Sequence, residues 1–247
     1  MKRTNSHLIY GRNPIEEALQ EGIGFERIYI KDSLHGDLEK YIRQVCRERD
    51  IPLKRVPLTK LDQLSRKKAH QGVIGITSLI SYQEISAVIP FIFDQGEDPI
   101  IVVLDNVQDV RNIGAIARSC EALGANALVL AGKNAGMVNE DSIKTSAGAL
   151  LRLPVCRART SINAIQELRT FGVHVYGTSI ESGTEVYHTK LQLPGAFVFG
   201  SEGQGLHRDI IRECDQLIQI GQKGKSDSLN VSVSVGIVLY ELNRQTS

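Results

Sequence analysis

Residues 100–124 read Ile-Ile-Val-Val-Leu-Asp-Asn-Val-Gln-Asp-Val-Arg-Asn-Ile-Gly-Ala-Ile-Ala-Arg-Ser-Cys-Glu-Ala-Leu-Gly. The opening run of five apolar residues is typical of a strand that is covered on both faces of a sheet. The stretch 113–123 predicts a helix that ends at Gly124, because glycine is common just past a helix C-terminus. A buried strand followed directly by a helix indicates an α/β fold with a parallel sheet.

The same alternation continues towards the C-terminus. It predicts strands at 127–130, 173–176, 196–199 and 217–220, and helices at 161–171, 207–213 and 230–243. We therefore expect a mostly parallel sheet with helices on both faces. Ligands of such sheets bind at the C-terminal ends of the strands, and three polar segments (105–124, 197–206 and 228–242) begin at such ends.

An acidic cluster at 94–99 marks a boundary between two parts of the chain. Residues 1–81 are predicted as a small α/β domain, with helices at 14–20 and 38–49 and strands at 27–30 and 72–78. Residues 82–98 are predicted as a linker in which 82–93 has helical spacing and packs as a connecting segment. Residues 99–247 form the larger predicted domain.

Composition points to an ordinary globular protein. Of its 247 residues, 42% are hydrophobic and 23% are charged. No apolar run reaches the roughly 18 residues that a membrane helix needs, and the basic N-terminus lacks the apolar stretch of a secretory signal. The four cysteines form no Cys-x-x-Cys pair, so we expect reduced thiols in a cytoplasmic protein and no metal site.

Charge is distributed unevenly along the chain. Residues 1–81 carry 15 basic and 10 acidic side chains, 82–98 carry none and four, and 99–247 carry 14 of each. The N-terminal third is therefore the better candidate for a polyanion partner. The alternative interpretation is an ordinary solvated face.

Two phosphate-binding motifs can be excluded. The glycines of 200–205 have the spacing G-x-x-G-x-G, whereas a dinucleotide fingerprint needs G-x-G-x-x-G. The stretch 221–226 resembles the end of a P-loop, but the position that needs the first glycine is Gln219. The sequence therefore does not favour an NTPase.

The first polar segment offers Asn112 as a helix cap and Arg118 inside the helix. Gly114 and Ala115, one turn earlier, are expected to leave open space where Arg118 can hold a phosphate bidentately. The alternative is a salt bridge from Arg118 to Glu121.

The other two polar segments have both a functional and an ordinary interpretation. Glu202 lies among glycines that let a ligand approach the backbone, or it belongs to a plain surface turn. Ser228 and Asn230 lie where a loop becomes an apolar helix, so they offer a ligand site or simply a cap and a turn. The prediction of one composite site rests on the three segments occurring together.

At these residues the sequence resembles the SpoU branch of the SPOUT superfamily, the knotted methyltransferases that act on RNA ribose. The resemblance covers nearly the whole chain, on motifs at 112–118 (Asn-x5-Arg), 199–203, 220 and 228–232. Residues 10–14 and 70–75 resemble the substrate-binding domain, related to ribosomal protein L30, that precedes this catalytic domain. The most similar group is the 23S rRNA guanosine-2′-O-methyltransferases, followed by tRNA-directed relatives.

The resemblance implies a trefoil knot, with the C-terminal segment threaded through the loop near 197–206, and a homodimer. It also implies S-adenosylmethionine bound in the knot, against Thr178, Gly200, Ile220 and Leu229. The family usually has Ile-Pro where this chain has Ile220 followed by glycine, so a more mobile cofactor loop is expected.

The implied reaction is methyl transfer to a ribose 2′-hydroxyl, with Arg118 central. Arginine is always protonated, so Arg118 is expected to clamp a phosphate rather than act as a literal base, with Ser228 or an RNA phosphate relaying the proton. Asn112 and Asn230 would hold Arg118 and the substrate, and Glu202 would orient Arg118. No metal is required.

The N-terminal domain would then select the RNA. Two patches are predicted to contact it: Arg66, Lys67 and Lys68 with His70, and Arg12 with Asn13. For the first patch, a solvated helix end is the alternative. Two further functions stay open, a non-catalytic RNA-binding protein on the same scaffold and a resistance-type rRNA methyltransferase.

Overall fold

A computed structural model describes residues 7–180, 182–201, 203, 205–222, 224 and 228–246. The chain divides into two compact units, Met1–Ser81 and Tyr82–Ser247. Within the described ranges, no helix has both the length and the apolar character needed to cross a membrane.

The first unit is a four-stranded sheet with helices on both faces. Its elements are β1 (Leu8–Tyr10), α1 (Arg12–Gln20), β2 (Phe25–Lys31), α2 (Asp37–Glu48), β3 (Leu53–Val56), α3 (Leu58–Ser65) and β4 (Val73–Thr77). The strand order is β1-β4-β2-β3, and only the pair β2–β3 is parallel among the described strands of this sheet. Apolar residues of α1 and α2 fill one core, and Leu61 of α3 packs with Ile74 on a second, smaller one.

The second unit contains one seven-stranded sheet. Its elements are α4 (Ile85–Asp94), β5 (Ile100–Asp105), α5 (Val110–Ala122), β6 (Ala127–Ala131), α6 (Glu140–Thr145), β7 (Val155–Ala158), α7 (Ser161–Thr170), β8 (His174–Thr178), β9 (Thr184–Glu185), β10 (Gly195–Phe199), α8 (Arg208–Glu213), β11 (Gln216–Gln219) and α9 (Val231–Thr246). The strand order is β7-β6-β5-β10-β8-β11-β9, and each neighbouring pair is parallel. This confirms the predicted α/β fold with a mostly parallel sheet.

Residues 82–98 contribute helix α4 to the second unit. Ile85, Val88, Ile89 and Ile92 are buried and belong to the same core as alternate residues of β5 and β10. The helical spacing of these apolar residues therefore reflects packing against the sheet. The segment that the sequence predicts as a linker therefore supplies the first helix of the second unit.

Helices α5 and α9 lie side by side and run in the same direction. At their C-terminal ends, the Asn243 side chain donates a hydrogen bond to the Leu123 carbonyl at 3.1 Å. Gln245, near the end of α9, accepts from the Leu191 N–H at 2.9 Å and donates to the Thr189 carbonyl at 2.9 Å. The end of the last helix is thus fixed to two segments that are distant in sequence.

Candidate active site

Four adjacent strands bring the predicted polar segments to one edge of the sheet. Strands β5, β10, β8 and β11 are neighbours in that order and run parallel, so their C-terminal ends lie at the same edge. The loop after β5 leads into α5, the glycine-rich loop follows β10, and the loop after β11 leads into α9. Segments that are far apart in sequence therefore meet here.

A hydrogen bond joins two of the predicted site residues directly. The Asn230 side-chain amide donates to the Asn112 carbonyl oxygen Oδ1 at 3.1 Å. Asn230 Oδ1 also accepts from the Ser232 N–H at 2.9 Å, so Asn230 caps α9. The N-terminal ends of α5 and α9 are thereby side by side. Because α9 has the neutral cap Asn230, its dipole still favours an anion at this edge.

Asn112 does not cap α5, and that prediction is wrong. The cap is Asp109, whose Oδ1 accepts from the Arg111 N–H at 2.8 Å, and the helix begins at Val110. Aspartate is as good a cap as asparagine, and here it comes three positions earlier. Asn112 therefore lies in the first helical turn, where its side chain is available to Asn230.

Arg118 is exposed on α5, and its guanidinium makes no hydrogen bond or ion pair with any residue that the structure describes. The alternative salt bridge to Glu121 does not form, because Glu121 is engaged by Arg152, with Arg152 Nη2 2.8 Å from Glu121 Oε2. The hydrogen bond from Arg152 also lowers the pKa of the Glu121 carboxyl. Arg118 is thus left available to a ligand or to residues outside the described ranges.

The expected open space over Gly114 is absent. A Cβ atom at this position would lie 2.5 Å from the Ser142 carbonyl oxygen and 2.8 Å from Thr145 Cβ. Helix α6 therefore fills the face that was expected to be free. Gly114 serves the close packing of two helices, and any ligand of Arg118 must approach from another side.

The predicted cofactor residues surround the strand ends. The Thr178 hydroxyl donates to the Val198 carbonyl at 3.0 Å, which links the ends of β8 and β10. A side chain on Gly200 would collide with the backbone of Gly205, so only glycine lets this loop fold back on itself. Ile220 and Leu229 are half-buried.

The two remaining predicted catalytic residues are Ser228 and Glu202. Ser228 is half-buried just before the cap of α9, and it has an interaction within the fold. Glu202 lies outside the described residues, so its predicted contact with Arg118 stays a prediction.

The structure adds Glu185, which the sequence analysis did not identify. A Cβ atom on Gly221 would lie 2.6 Å from the Glu185 carboxylate oxygen Oε1. The carboxylate therefore takes the space that a side chain at 221 would need. This contact depends on the pairing of β9 with β11, which no local signal in the sequence reveals.

Asp105 is a second residue that the analysis left without a role. It is buried at the end of β5 and accepts hydrogen bonds from the Ser161 hydroxyl at 2.6 Å and the Asn106 side-chain amide at 3.0 Å. Asn106 has a positive φ of 51°, and its side chain is held between the Asp105 carboxylate and the Asn134 N–H, which donates to Asn106 Oδ1 at 3.3 Å. Asp105 thus positions the loop that leads into α5. A carboxylate directly after an apolar strand is the signal that could have identified it.

The first unit collects most of the predicted RNA-binding residues around one open cleft of about 850 Å³. The lining includes Arg12, Asn13, Lys67, Lys68 and His70, whereas Arg66 lies outside it. The ring of His70 is buried and both of its nitrogens are engaged. Nδ1 accepts from the Gly72 N–H at 3.0 Å, and Nε2 is 3.1 Å from the Asp62 carboxylate. His70 therefore supports the loop.

The cysteines are buried or half-buried, which disfavours their reactive thiolate form. Burial raises the pKa of the Cys46, Cys156 and Cys214 thiols to about 12, and it also raises the pKa of Cys120. Over the part of the chain that the structure describes, no group of three or more His, Cys, Asp and Glu side chains is arranged to hold a metal ion.

Comparison with known proteins identifies both units. Residues 99–240 match the model of the SpoU rRNA methylase family. Residues 8–83 match a domain described as RNA 2′-O ribose methyltransferase substrate binding. The two matches together cover most of the chain.

Individual relatives agree with these matches. A protein of Mycobacterium ulcerans described as an uncharacterized tRNA/rRNA methyltransferase is 33% identical over 96% of this chain and 76% of its own length. The crystal structure of the SpoU methyltransferase AviRb from Streptomyces viridochromogenes, with its cofactor AdoMet, has a TM-score of 0.60 at 25% identity, over 97% of this chain and 89% of that one. An rRNA methyltransferase from Sinorhizobium meliloti has the same fold, with a TM-score of 0.62 at 24% identity over 98% and 88%.

Proposed function

The chain belongs to the SpoU rRNA methylase family, and we propose that it methylates a ribose 2′-hydroxyl of a guanosine in 23S rRNA. The observation that carries this proposal is the Asn230–Asn112 hydrogen bond at 3.1 Å. This hydrogen bond brings the N-terminal end of α9 to the N-terminal end of α5. Helix α5 also carries the exposed Arg118. A tRNA and a resistance-type rRNA target are the alternatives within the same chemistry.

The cofactor is S-adenosylmethionine, the ligand of the AviRb structure. The loops after β10 and β11 suit it, because they present glycine backbone at Gly200 and, beside the Glu185 carboxylate, at Gly221. Backbone groups and a carboxylate can pair with the amino and hydroxyl groups of a nucleoside. In the proposal, Thr178, Gly200, Ile220 and Leu229 hold the cofactor. When bound, it supplies an electrophilic methyl group.

The protein's own residues would orient the attacking hydroxyl. Arg118 binds the adjacent phosphate of the RNA through its planar guanidinium, which fixes the ribose. Asn112 and Asn230 hold this arrangement at the two helix ends. The proton of the 2′-hydroxyl passes to Ser228 or to an RNA phosphate, because the permanently charged Arg118 cannot accept it. Glu202 orients Arg118 in this proposal. Positioning carries much of the rate enhancement.

The wider assembly is also part of the proposal. We expect a homodimer formed through α9, a cytoplasmic location with the RNA, and a trefoil knot at the C-terminus. The position of β11 between β8 and β9, with α9 packed beside α5, supports the knot. In this proposal the first unit, Met1–Ser81, binds the RNA and residues 99–247 carry the chemistry. Residues 82–98 join the two, and their helix α4 packs on the core of the second unit.

The decisive experiment compares two arginine variants in transfer of labelled methyl groups to rRNA and tRNA. Arg118→Ala should lower kcat by roughly 100-fold or more, since it removes a charged group that acts on the reacting centre. The affinity for S-adenosylmethionine, measured by calorimetry, should stay within about twofold because Arg118 faces the RNA in this proposal. Arg212→Ala is the matched control, because Arg212 is exposed on α8 and pairs only weakly with Asp209 at 3.6 Å.

The same assay separates the competing function. A non-catalytic RNA-binding protein would transfer no methyl group and would not bind S-adenosylmethionine. Equal activity of Arg118→Ala and the wild type would refute the role of Arg118. Mapping of 2′-O-methyl sites in cells with and without the protein would identify the nucleotide and decide between rRNA and tRNA.

A further inference from the structure

The cleft of the first unit has the size and chemistry of a nucleotide site. It lies at the N-terminal ends of α1 and α3, beside the loop 66–72. We propose that this cleft binds a single unpaired nucleotide of the RNA, with its phosphate at Arg12 and Lys67 and its base against Leu58. The proposal rests on the proposed function, and it adds that the RNA must present an unstacked nucleotide at this place.

The charge of the cleft favours an anion. Four cationic side chains line it, Arg12, Lys31, Lys67 and Lys68, and the lining carboxylate is Asp62. Asp62 is already engaged by the His70 ring at 3.1 Å. The cations therefore determine the local potential, and a phosphate entering the cleft meets them at short range.

Arg12 is held in place while part of its guanidinium stays available. Its backbone N–H donates to Gln71 Oε1 at 3.0 Å, and its Nε donates to the Gln71 carbonyl at 3.4 Å. The two terminal nitrogens of Arg12 have no hydrogen-bond partner among residues 7–180 or the later described ranges. A guanidinium that is fixed through Nε and open at both ends can bind two phosphate oxygens at once.

The loop on the other side of the cleft is held in an unfavourable backbone conformation. Lys67 and Gln71 have positive φ angles of 61° and 49°, and they follow Arg66, the left-handed residue that ends α3. Such angles cost free energy in residues with a side chain and are concentrated at functional sites. The buried His70 maintains the loop through its hydrogen bond from the Gly72 N–H. The structure thus fixes the path of the chain that presents Lys67 and Lys68.

The shape of the cleft favours a nucleotide that has left a helix. The cleft is open to solvent rather than enclosed, and its volume of about 850 Å³ is large enough to admit one nucleotide. Leu58 is 45% exposed at its edge and offers an apolar surface to a base. In duplex RNA the bases are stacked inside and cannot enter a concave site, whereas single strands can turn a base outward. Helix α3 has no side-chain cap, which leaves N–H groups at its start for a phosphate, whereas at the start of α1 the Arg12 N–H is already bonded to Gln71 Oε1.

The test measures binding of a fluorescein-labelled hexaribonucleotide to the full chain without cofactor, beside the duplex of the same sequence. The single strand should bind at least tenfold more tightly than the duplex. Arg12→Gln should weaken single-strand binding by roughly tenfold or more, because it removes a charge-assisted contact. Arg47→Gln, an exposed arginine on α2 that does not line the cleft, should change it by less than twofold.

A second pair of variants tests the apolar wall. Leu58→Ala should weaken binding of the hexanucleotide several-fold, because the base loses its apolar contact. Leu151→Ala, which removes a 60% exposed leucine of the other unit, should leave binding unchanged.

Three results would overturn the inference. They are equal binding of single strand and duplex, equal losses from Arg12→Gln and Arg47→Gln, and binding of free uridine or guanosine 5′-monophosphate as tightly as the hexanucleotide. The last result would indicate a site for a free nucleotide. Because the assay contains no cofactor, it is independent of methyl transfer. If the protein methylates RNA but fails this test, only the nucleotide-binding role of the cleft is disproved. If it binds the hexanucleotide but never methylates RNA, the proposed function is disproved.

Discussion

Asn230 uses the two ends of its side-chain amide for different purposes. Its Oδ1 caps α9 by accepting from the Ser232 N–H at 2.9 Å, and its Nδ2 donates to Asn112 at 3.1 Å. The first contact stabilises a helix, and the second joins two elements of the candidate site. The contributions to stability and to activity should therefore be separable by substitution.

Asn230→Ser should keep most of the stability and lose activity. The serine hydroxyl still accepts from the Ser232 N–H as a cap, but it is too short to reach Asn112. Asn230→Ala removes both contacts and should also cost about 1 kcal/mol of folding free energy, as is usual for a lost cap. Denaturant unfolding and methyl transfer measured on both variants check this prediction. Equal stability losses in the two variants would contradict the capping role.

At the scale of elements, the contact between α5 and α6 depends on one position that has no side chain. Gly114 of α5 lies against the backbone of α6, where a Cβ atom would approach Ser142 to 2.5 Å. The neighbouring backbone carbonyl cannot move away as a flexible side chain could. The position of α5, and with it Arg118, follows from this close approach.

Gly114→Ala should therefore lower the free energy of unfolding by about 1–3 kcal/mol, which is the usual cost of overpacking. Gly24→Ala is the control, because a Cβ atom there would meet only Ser78 Cβ, at an ordinary contact distance of 3.6 Å, among the described residues. This change should alter the free energy of unfolding by less than about 1 kcal/mol. Thermal and denaturant unfolding measure both, and a stabilised Gly114→Ala protein would disprove the packing role.

At the scale of the whole molecule, α9 carries an apolar stripe on its outer face. Val233 is 48% exposed and Tyr240 is 66% exposed, and Ile237 lies between them at helical spacing. A single chain gains nothing from exposing these side chains. The stripe supports the proposed homodimer, in which a second copy would cover it.

The double variant Val233→Asp, Tyr240→Asp should be monomeric, because the charges would be buried without partners in the interface. Light scattering on the purified protein measures the oligomeric state. Phe91→Asp serves as the control, since Phe91 is 64% exposed on α4 and lies outside the stripe. A dimer that survives the double substitution would place the interface elsewhere.

Some strands can be predicted because burial on both faces of the sheet leaves a continuous apolar run in the sequence. Strands β5, β6 and β10 are covered on both faces, and each is an almost uninterrupted apolar run. Strand β3 was missed because it is an edge strand whose centre is Lys54 and Arg55. Helix α6 was missed because it is short and polar, and a capping box of Asn139 with Ser142 defines its start.

The sequence by itself determined the α/β class, the three polar segments and, through their motifs, the resemblance that the family match confirms. Only the tertiary structure decided which side chains meet. The Asn230–Asn112 contact, the engagement of Glu121 by Arg152 and the approach of Glu185 to Gly221 all join distant segments. Hydrophobic periodicity shows which face of each element is buried, but it carries no information about the order of the strands in the sheet. The order β5-β10-β8-β11 is what brings these residues to one edge.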